Sequence, residues 1–361
     1  METIRTKYEQ VADEIRSGIK SGLYPNGKLP REIDLASRAG VSRGTIGMAM
    51  KLLAEKGLIA RTRRKGTYVA GGDMEMTISR QVGVIMNSEG HFYSTLYRSI
   101  VNCLEDKDLY PVHVNYQPRI GFDAAASEKR IRKLLQAPLR GVLIEGRSYW
   151  RRPFLEKCPY AGAVFINSYD GRGEIPGRAV LADNAQAGFL AAKHLIALGH
   201  KRILFFTYLH QHVSPEDKSY WRNNAGYQRE EGYRRAMKTM NPGGMAEIIQ
   251  LPIDEKTKID TIRGVLARPK RPTAVICIMD VYAVGVMITA LSMGIRVPED
   301  LAIVGMYNTP WCVESPVPLT SISFEEQEMA RQAVDVVLSK KTDHKIIKVK
   351  PKLIVRASCG S

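Results

Sequence analysis

Apolar residues follow two rhythms along this 361-residue chain, and the change of rhythm near residue 80 divides it. In the first stretch Tyr8, Val11, Ala12, Ile15 and Ile19 fall at i, i+3, i+4, i+7 and i+11, one face of a helix. Gly22, Pro25, Gly27 and Pro30 then break the pattern. A short helix over about Glu32–Ala39 buries Leu35 and Ala36. Gly40 makes a tight turn, and Ser42 offers its hydroxyl as N-cap to a third helix. That helix buries Ile46, Ala49, Leu52 and Leu53 and stops at Gly57. Leu58-Ile59 and Thr67-Tyr68-Val69 read as two strands joined by a basic tip, "RTRRKG". Three helices and a β-hairpin in about 65 residues predict a winged helix-turn-helix of α+β class.

After the polar stretch "AGGDMEMTISRQ" the texture changes. Short apolar runs ("VGVIM", "PVHV", "GVLIEG", "GAVFIN", "RILFFT", "EIIQLP", "TAVICIM", "LAIVGM") alternate with amphipathic helical stretches, the pattern of parallel sheets in doubly wound α/β units. In "QAGFLAAKHLIALGH", Ala187, Leu190, Ala191, Leu195 and Leu198 line one helical face and Gly199 closes it. About 280 residues of this texture suit two α/β lobes better than one core.

Composition narrows the class. Hydrophobic residues make up 44% and charged ones 25%, as in globular proteins. Runs such as "LAIVGM" fall far below the roughly 18 residues that span a bilayer. The charged, amphipathic start "METIRTKYEQVADEIR" does not read as a secretory signal, so a cytoplasmic location is expected. Cys103, Cys158, Cys277, Cys312 and Cys359 are scattered with no CxxC pair, which favours reduced thiols over disulfides or a zinc site. No metal or cofactor is called for.

Charge is concentrated. Of the net +16, the first 70 residues carry 14 Lys/Arg against 7 Asp/Glu. Such a segment calls for a polyanion, and charge alone fits either nucleic acid or a membrane surface. On a winged helix the choice falls on double-stranded DNA. The third helix would present its first turn to base edges, with Ser42 as cap and Arg43 and Thr45 best placed. Arg43 can pair bidentately with guanine or hold a phosphate. Arg61, Arg63, Arg64, Lys65 and Gly66 at the hairpin tip suit phosphates or the minor groove, and Lys28 and Arg31 suit phosphate clamps.

The landmarks "YEQVADEIRSGIKSGLYPNGKLP", "DLASRAGVSRGTI", "LLAEKGLI" and "KGTYV" resemble the GntR-family DNA-binding domain over residues 4–70. Gly47 and Met48 stand where that family usually carries basic residues. The remainder resembles the LacI/GalR-type effector domain, a periplasmic-binding-protein-like fold of type I, over residues 81–361. The segments that carry the likeness are "VGVIMNS", "GVLIEG", "ADNAQAGFLAAKHLIALGHKRI", "REEGYRRAM", "PTAVICIMDVYAVGVMITALSMGIRVPEDLAIVGM", "PLTSI" and "PKLIVRAS". The combination is similar to the arabinose-repressor subfamily. The resemblance implies a head over residues 1–70, a linker over 71–80 and a two-lobed effector-binding and dimerisation domain over 81–361. It implies crossings between lobes near residues 180, 323 and 340, giving lobes of about 81–180 plus 323–340 and 181–322 plus 341–361. It also implies a homodimer on a pseudo-palindromic operator.

Ligands of α/β folds sit at the C-terminal ends of strands. On that ground Asn87, Ser88, Glu145, Asn167 and Asp280 are candidate effector contacts, with Arg229 three residues before the Gly232-Tyr233 pair. Phe92, Tyr93, Tyr149, Trp150, Tyr307, Trp311 and Phe324 are aromatics near strand ends. The chemistry suits a monosaccharide. Arg229 can donate to two adjacent oxygens, Asp280 and Glu145 can accept from hydroxyls, Asn167 can do either, and a ring can cover the apolar face. Two departures stand out: Met279-Asp280 replaces the family's Asn-Asp, and Gly305-Met306-Tyr307-Asn308 replaces its Gly-aromatic-Asp-Asp.

An enzyme is disfavoured: there is no G-x-x-x-x-G-K-[ST], "GRGEIPG" lacks dinucleotide-loop spacing, and no HExxH occurs. A transport-type solute-binding protein conflicts with the winged helix. The expected function is a DNA-binding repressor of carbohydrate-utilisation genes released by a small sugar. An activator of the same architecture, or one with a non-sugar effector, remains an open alternative.

Overall fold

The computed structural model describes residues 6–20, 23–24, 29–62, 66–69, 80–115, 124–135, 137, 139–146, 163–169, 177–208, 224–339 and 345–360. The chain divides into two compact units, residues 1–81 with 138–140 and residues 82–137 with 141–361.

The first unit contains helices α1 (Lys7–Lys20), α2 (Glu32–Ala39) and α3 (Arg43–Glu55), then strands β1 (Ile59–Thr62) and β2 (Gly66–Val69) paired antiparallel. Val11, Ala12 and Ile15 of α1 close with Leu35, Ala36, Ile46, Ala49, Met50, Leu53 and Ile59 into one small core. Within α3 the buried set is Ile46, Ala49, Met50 and Leu53, so Met50 takes the place the pattern gave to Leu52, which is half-buried. Spacing of i, i+3, i+4 and i+7 explains the choice. Gly40 ends α2 at φ +62 and Gly57 follows α3 at φ +66, left-handed positions that glycine adopts without a Cβ penalty. The strands of the hairpin are longer than expected. Arg61, Thr62 and Gly66, expected in the connecting tip, belong to the strands, with Arg61 opposite Thr67 and Thr62 opposite Gly66.

The second unit holds two six-stranded sheets. The first has the order β13-β7-β6-β5-β3-β4, from β3 (Gln81–Met86), β4 (Tyr110–Asn115), β5 (Gly141–Gly146), β6 (Ala163–Tyr169), β7 (Arg178–Ala182) and β13 (Lys345–Val349). Helices α4 (His91–Glu105) and α5 (Ala124–Leu134) belong to this lobe. The second has the order β14-β12-β11-β10-β8-β9, from β8 (Arg202–Tyr208), β9 (Met245–Leu251), β10 (Ala274–Cys277), β11 (Ala302–Met306), β12 (Thr320–Ser323) and β14 (Lys352–Ile354). Its helices are α6 (Asn184–Ala197), α7 (Ala225–Met240), α8 (Glu255–Leu266), α9 (Asp280–Ser292) and the short α10 (Trp311–Glu314). Helix α11 (Glu326–Leu338) leaves the second sheet after β12 and packs on α4 and the first sheet. Central strands such as β5, β7 and β11 are buried along their whole length, as strands covered on both faces must be.

One boundary needs correction. Lys345–Val349 runs parallel to Arg178–Ala182 as an edge strand of the first sheet, so the third crossing lies between Val349 and Lys352 and not near residue 340. The buried Val349 anchors this strand, whose other residues are largely exposed, and so weak a pattern gave no strand signal in the sequence.

Candidate nucleic-acid face and effector cleft

At the head, Ser42 caps α3 as its residue type requires. Its Oγ accepts the Thr45 N–H at 3.1 Å and lies 2.8 Å from the Thr45 hydroxyl. Thr45 is thereby half-buried and partly engaged, while Arg43 stands exposed in the first turn. Arg31 is exposed at the N-cap of α2 and makes no side-chain capping bond. Gly66 sits in β2 opposite Thr62 at φ +111. Lys28, Arg63, Arg64 and Lys65 lie outside the described residues, as does the side chain of Arg61.

In the body, the candidates gather at the C-terminal ends of strands. Arg229, on the first turns of α7, is only 3% exposed. Its Nε donates to Asn184 Oδ1 (2.8 Å), Nη1 to the Ile278 carbonyl (2.9 Å) and Nη2 to the Tyr307 hydroxyl (2.7 Å). The guanidinium also stacks over the rings of Tyr307 (4.5 Å) and Phe324 (4.6 Å). Two glycines make this position possible. A Cβ on Gly188 of α6 would meet the Arg229 carbonyl oxygen at 1.9 Å, and one on Gly232 would meet the Ala185 carbonyl at 1.9 Å. Helices α6 and α7 therefore touch backbone to backbone, which brings Asn184 onto the Arg229 side chain.

Phe92, from the first turn of α4, meets Tyr307 at 4.7 Å and Phe324 at 6.2 Å between ring centroids, with Tyr93 at 5.2 Å. His91 and Trp311 meet edge to face, with ring centroids 6.1 Å apart and planes at 87°. Five candidates thus converge: Phe92, Tyr93, Arg229, Tyr307 and Phe324. Tyr307 adopts φ +101, a backbone region that a bulky residue occupies only when its surroundings hold it there.

Glu145 and Asn167 form a second group at the ends of β5 and β6. Asn167 Nδ2 and Ser168 Oγ each donate to Glu145 Oε1 at 3.3 Å, and Asn167 sits at φ +72. Asn87 and Ser88 follow β3. Asn87 Oδ1 accepts the Glu89 N–H (2.9 Å), and the Ser88 N–H donates to Asn115 Oδ1 (3.4 Å).

Asp280 departs from its expected role as an acceptor of ligand hydroxyls. It is 1% exposed, and Oδ2 accepts the N–H and hydroxyl of Thr309 (2.7 and 2.9 Å) while Oδ1 accepts the Ser321 hydroxyl (2.6 Å). Burial raises its pKa above the usual carboxylate range, and these hydrogen bonds offset only part of that rise. A Cβ on Gly305 would lie 2.3 Å from Oδ1, so β11 passes directly against this carboxylate. Asp280 is a peg that holds the Tyr307–Thr309 loop, helped by Arg356 Nη2 on Asn308 Oδ1 (2.7 Å). Sequence reasoning missed Asn184, Thr309 and Ser321. Asn184 opens α6 directly after its N-cap Asp183, but nothing in the sequence pattern aims it at Arg229. Tyr149 and Trp150 lie outside the described residues.

Residues 7–69 match the gntR family of bacterial regulatory proteins, and residues 192–359 match the periplasmic binding protein-like domain. The chain is a transcriptional regulator that joins a gntR-type DNA-binding head to a periplasmic-binding-protein-like body. The regulator is 27% identical over 374 residues to the arabinose metabolism transcriptional repressor of Geobacillus stearothermophilus, covering 98% of this chain and 97% of that one. Among solved structures it resembles a complex of the transcriptional regulator CelR with cellobiose (TM-score 0.60, 21% identity, 91% of this chain and 100% of that one). It also resembles the lac repressor dimer bound to operator and an anti-inducer (TM-score 0.62, 19% identity, 79% and 96%). No helix among the regulator's described residues is long and apolar enough to cross a membrane.

Proposed function

We propose that this regulator represses carbohydrate-utilisation genes in the cytoplasm and leaves its operator when a small sugar binds between the lobes of its body. The observation that carries the reading is the cluster at Arg229: a buried cation boxed by aromatic rings at strand ends, on a chain whose head is a helix-turn-helix. A sugar has edges that accept hydrogen bonds and an apolar face that suits Phe92, Tyr307 or Phe324. Glu145, Asn167, Asn87 and Ser88 supply acceptors and donors at the ends of the first sheet's strands. On the head, Ser42, Arg43, Thr45 and Arg31 serve DNA, with Lys28, Arg61, Arg63, Arg64, Lys65 and Gly66 completing the interface from the wing and its approach. No catalytic role is assigned.

Pairing of heads follows from α9 and its neighbour. Val281 and Ile288 are 56% and 54% exposed on α9, with Leu291 on the same face and Val313 exposed on α10. A second copy is the natural cover, and one solved structural neighbour, the lac repressor, is a dimer on its operator. The effector then acts only through unequal affinity for the DNA-competent and incompetent states.

The test is operator binding by the full chain with and without effector. Arg43→Ala is expected to weaken operator affinity by about 1–3 kcal/mol, the range of one good base contact, and to leave sugar-induced stabilisation of the body unchanged. Equal loss of both would refute the division of labour. Operator affinity that does not change under saturation with a proven sugar ligand would refute release.

A further inference from the structure

We infer that the effector is an anionic polyol, a sugar derivative bearing a carboxylate or phosphate, and that Arg229 receives its charged group. The inference rests on the effector reading above and narrows it. Arg229 is 3% exposed, and all three of its acceptors are neutral: an amide oxygen, a backbone carbonyl and a phenol oxygen. Among the described residues no carboxylate pairs with it. A buried guanidinium normally sits beside an acid, because an uncompensated buried charge is costly.

The acids of the region are directed elsewhere. Asp280 accepts from Thr309 and Ser321, Glu145 accepts from Asn167 and Ser168, and Glu325 pairs with Lys352. A guanidinium has five N–H donors. The three bonds on Arg229 fix the plane of the group and leave one N–H on each terminal nitrogen. The Tyr307 hydroxyl, already an acceptor from Nη2, keeps its own proton to donate. Donors on two residues therefore converge, with no acceptor of matching charge. The rings of Tyr307 and Phe324 cover the guanidinium and keep water from screening it. A planar fork of donors in a dry, aromatic setting is the arrangement that recognises carboxylate or phosphate oxygens two at a time. A neutral hydroxyl would fill the hydrogen bonds and leave the charge uncompensated.

The experiment titrates the full-length protein by calorimetry with three matched sets of probes: arabinose, galactose and glucose; the corresponding aldonates and uronates; and the corresponding sugar phosphates. The expected result is that one acid or phosphate binds at least tenfold tighter than its neutral parent, with an affinity that weakens as salt rises. The acid set and the phosphate set distinguish the two sources of charge. Arg229→Gln should erase the preference and Arg229→Lys should keep part of it. Tyr307→Phe removes one donor, and with it the acceptor of Arg229 Nη2, while the charge and the ring over it stay; it should weaken the anion severalfold. A neutral sugar that binds as tightly as its charged derivatives overturns the anion inference and leaves the sugar-effector reading standing. No binding from any of the three sets overturns both.

Discussion

Glu326 opens α11 where the chain returns from the second sheet to the first, and its carboxyl is pushed up to about 7. Burial is the main cause, the charges of Glu325 and Asp280 add to it, and a hydrogen bond from its own backbone N–H opposes it. A carboxyl raised this way keeps its proton in the native state after the unfolded chain has lost it. Stability therefore falls as pH rises from about 4.5 to about 7 and levels off above. Glu326→Gln is expected to stabilise the body by up to about 3 kcal/mol at pH 8 and by little at pH 5, using about 1.4 kcal/mol per pKa unit. Urea titrations at the two pH values read this directly, and a gap of equal size at both would place the effect elsewhere. At this scale the sequence showed which residue types stand at strand ends. It did not show that Tyr307 and Asn167 adopt left-handed backbone, or that Asp280 turns toward Thr309. Those outcomes depend on neighbours distant in the chain.

Two elements illustrate different degrees of legibility. The cap of α3 was plain, because a Ser before an amphipathic run satisfies a helix N–H locally. Ser42→Ala should destabilise the head by about 1 kcal/mol. Hydrogen exchange should speed up at the amides of the first turn of α3 and stay unchanged across the body's sheets. The contact between α6 and α7 was not plain. Gly188 was part of a helix pattern in which a glycine appears as a weak point, and only the packed pair shows that any Cβ there strikes a carbonyl oxygen. Gly188→Ala is expected to cost roughly 1–3 kcal/mol from overpacking, seen as a lower melting temperature of the body. Because the struck oxygen belongs to Arg229, effector affinity should fall with it. A variant as stable as the parent would mean that the helices can separate without loss.

The whole molecule adds what no single element contains. Helix α9 is apolar around its circumference: Ala283, Val286, Met287 and Ala290 face the lobe's core, while Val281, Ile288 and Leu291 face outward. A helix apolar on all sides is expected to be covered on all sides. Ile288→Asp should convert a dimer to a monomer in sedimentation at micromolar concentration. Operator affinity should then drop by about 100-fold or more, since the second head no longer binds as a tethered partner. Unchanged sedimentation would move the dimer contact to another face.

The sequence by itself determined the kinds of unit present and their order, because those depend on local periodicity, capping residues, glycine at turns and the strength of short apolar runs. It also determined that the head is the basic part, because charge adds along the chain. Only the tertiary structure decided that β13 closes the first sheet, that Asp280 is a peg inside its lobe, and that Arg229 lies among neutral partners under aromatic rings. Each of these depends on groups separated by tens of residues, where the cost of burying a charge or the fit of a backbone is set by what packs against it and not by what precedes it.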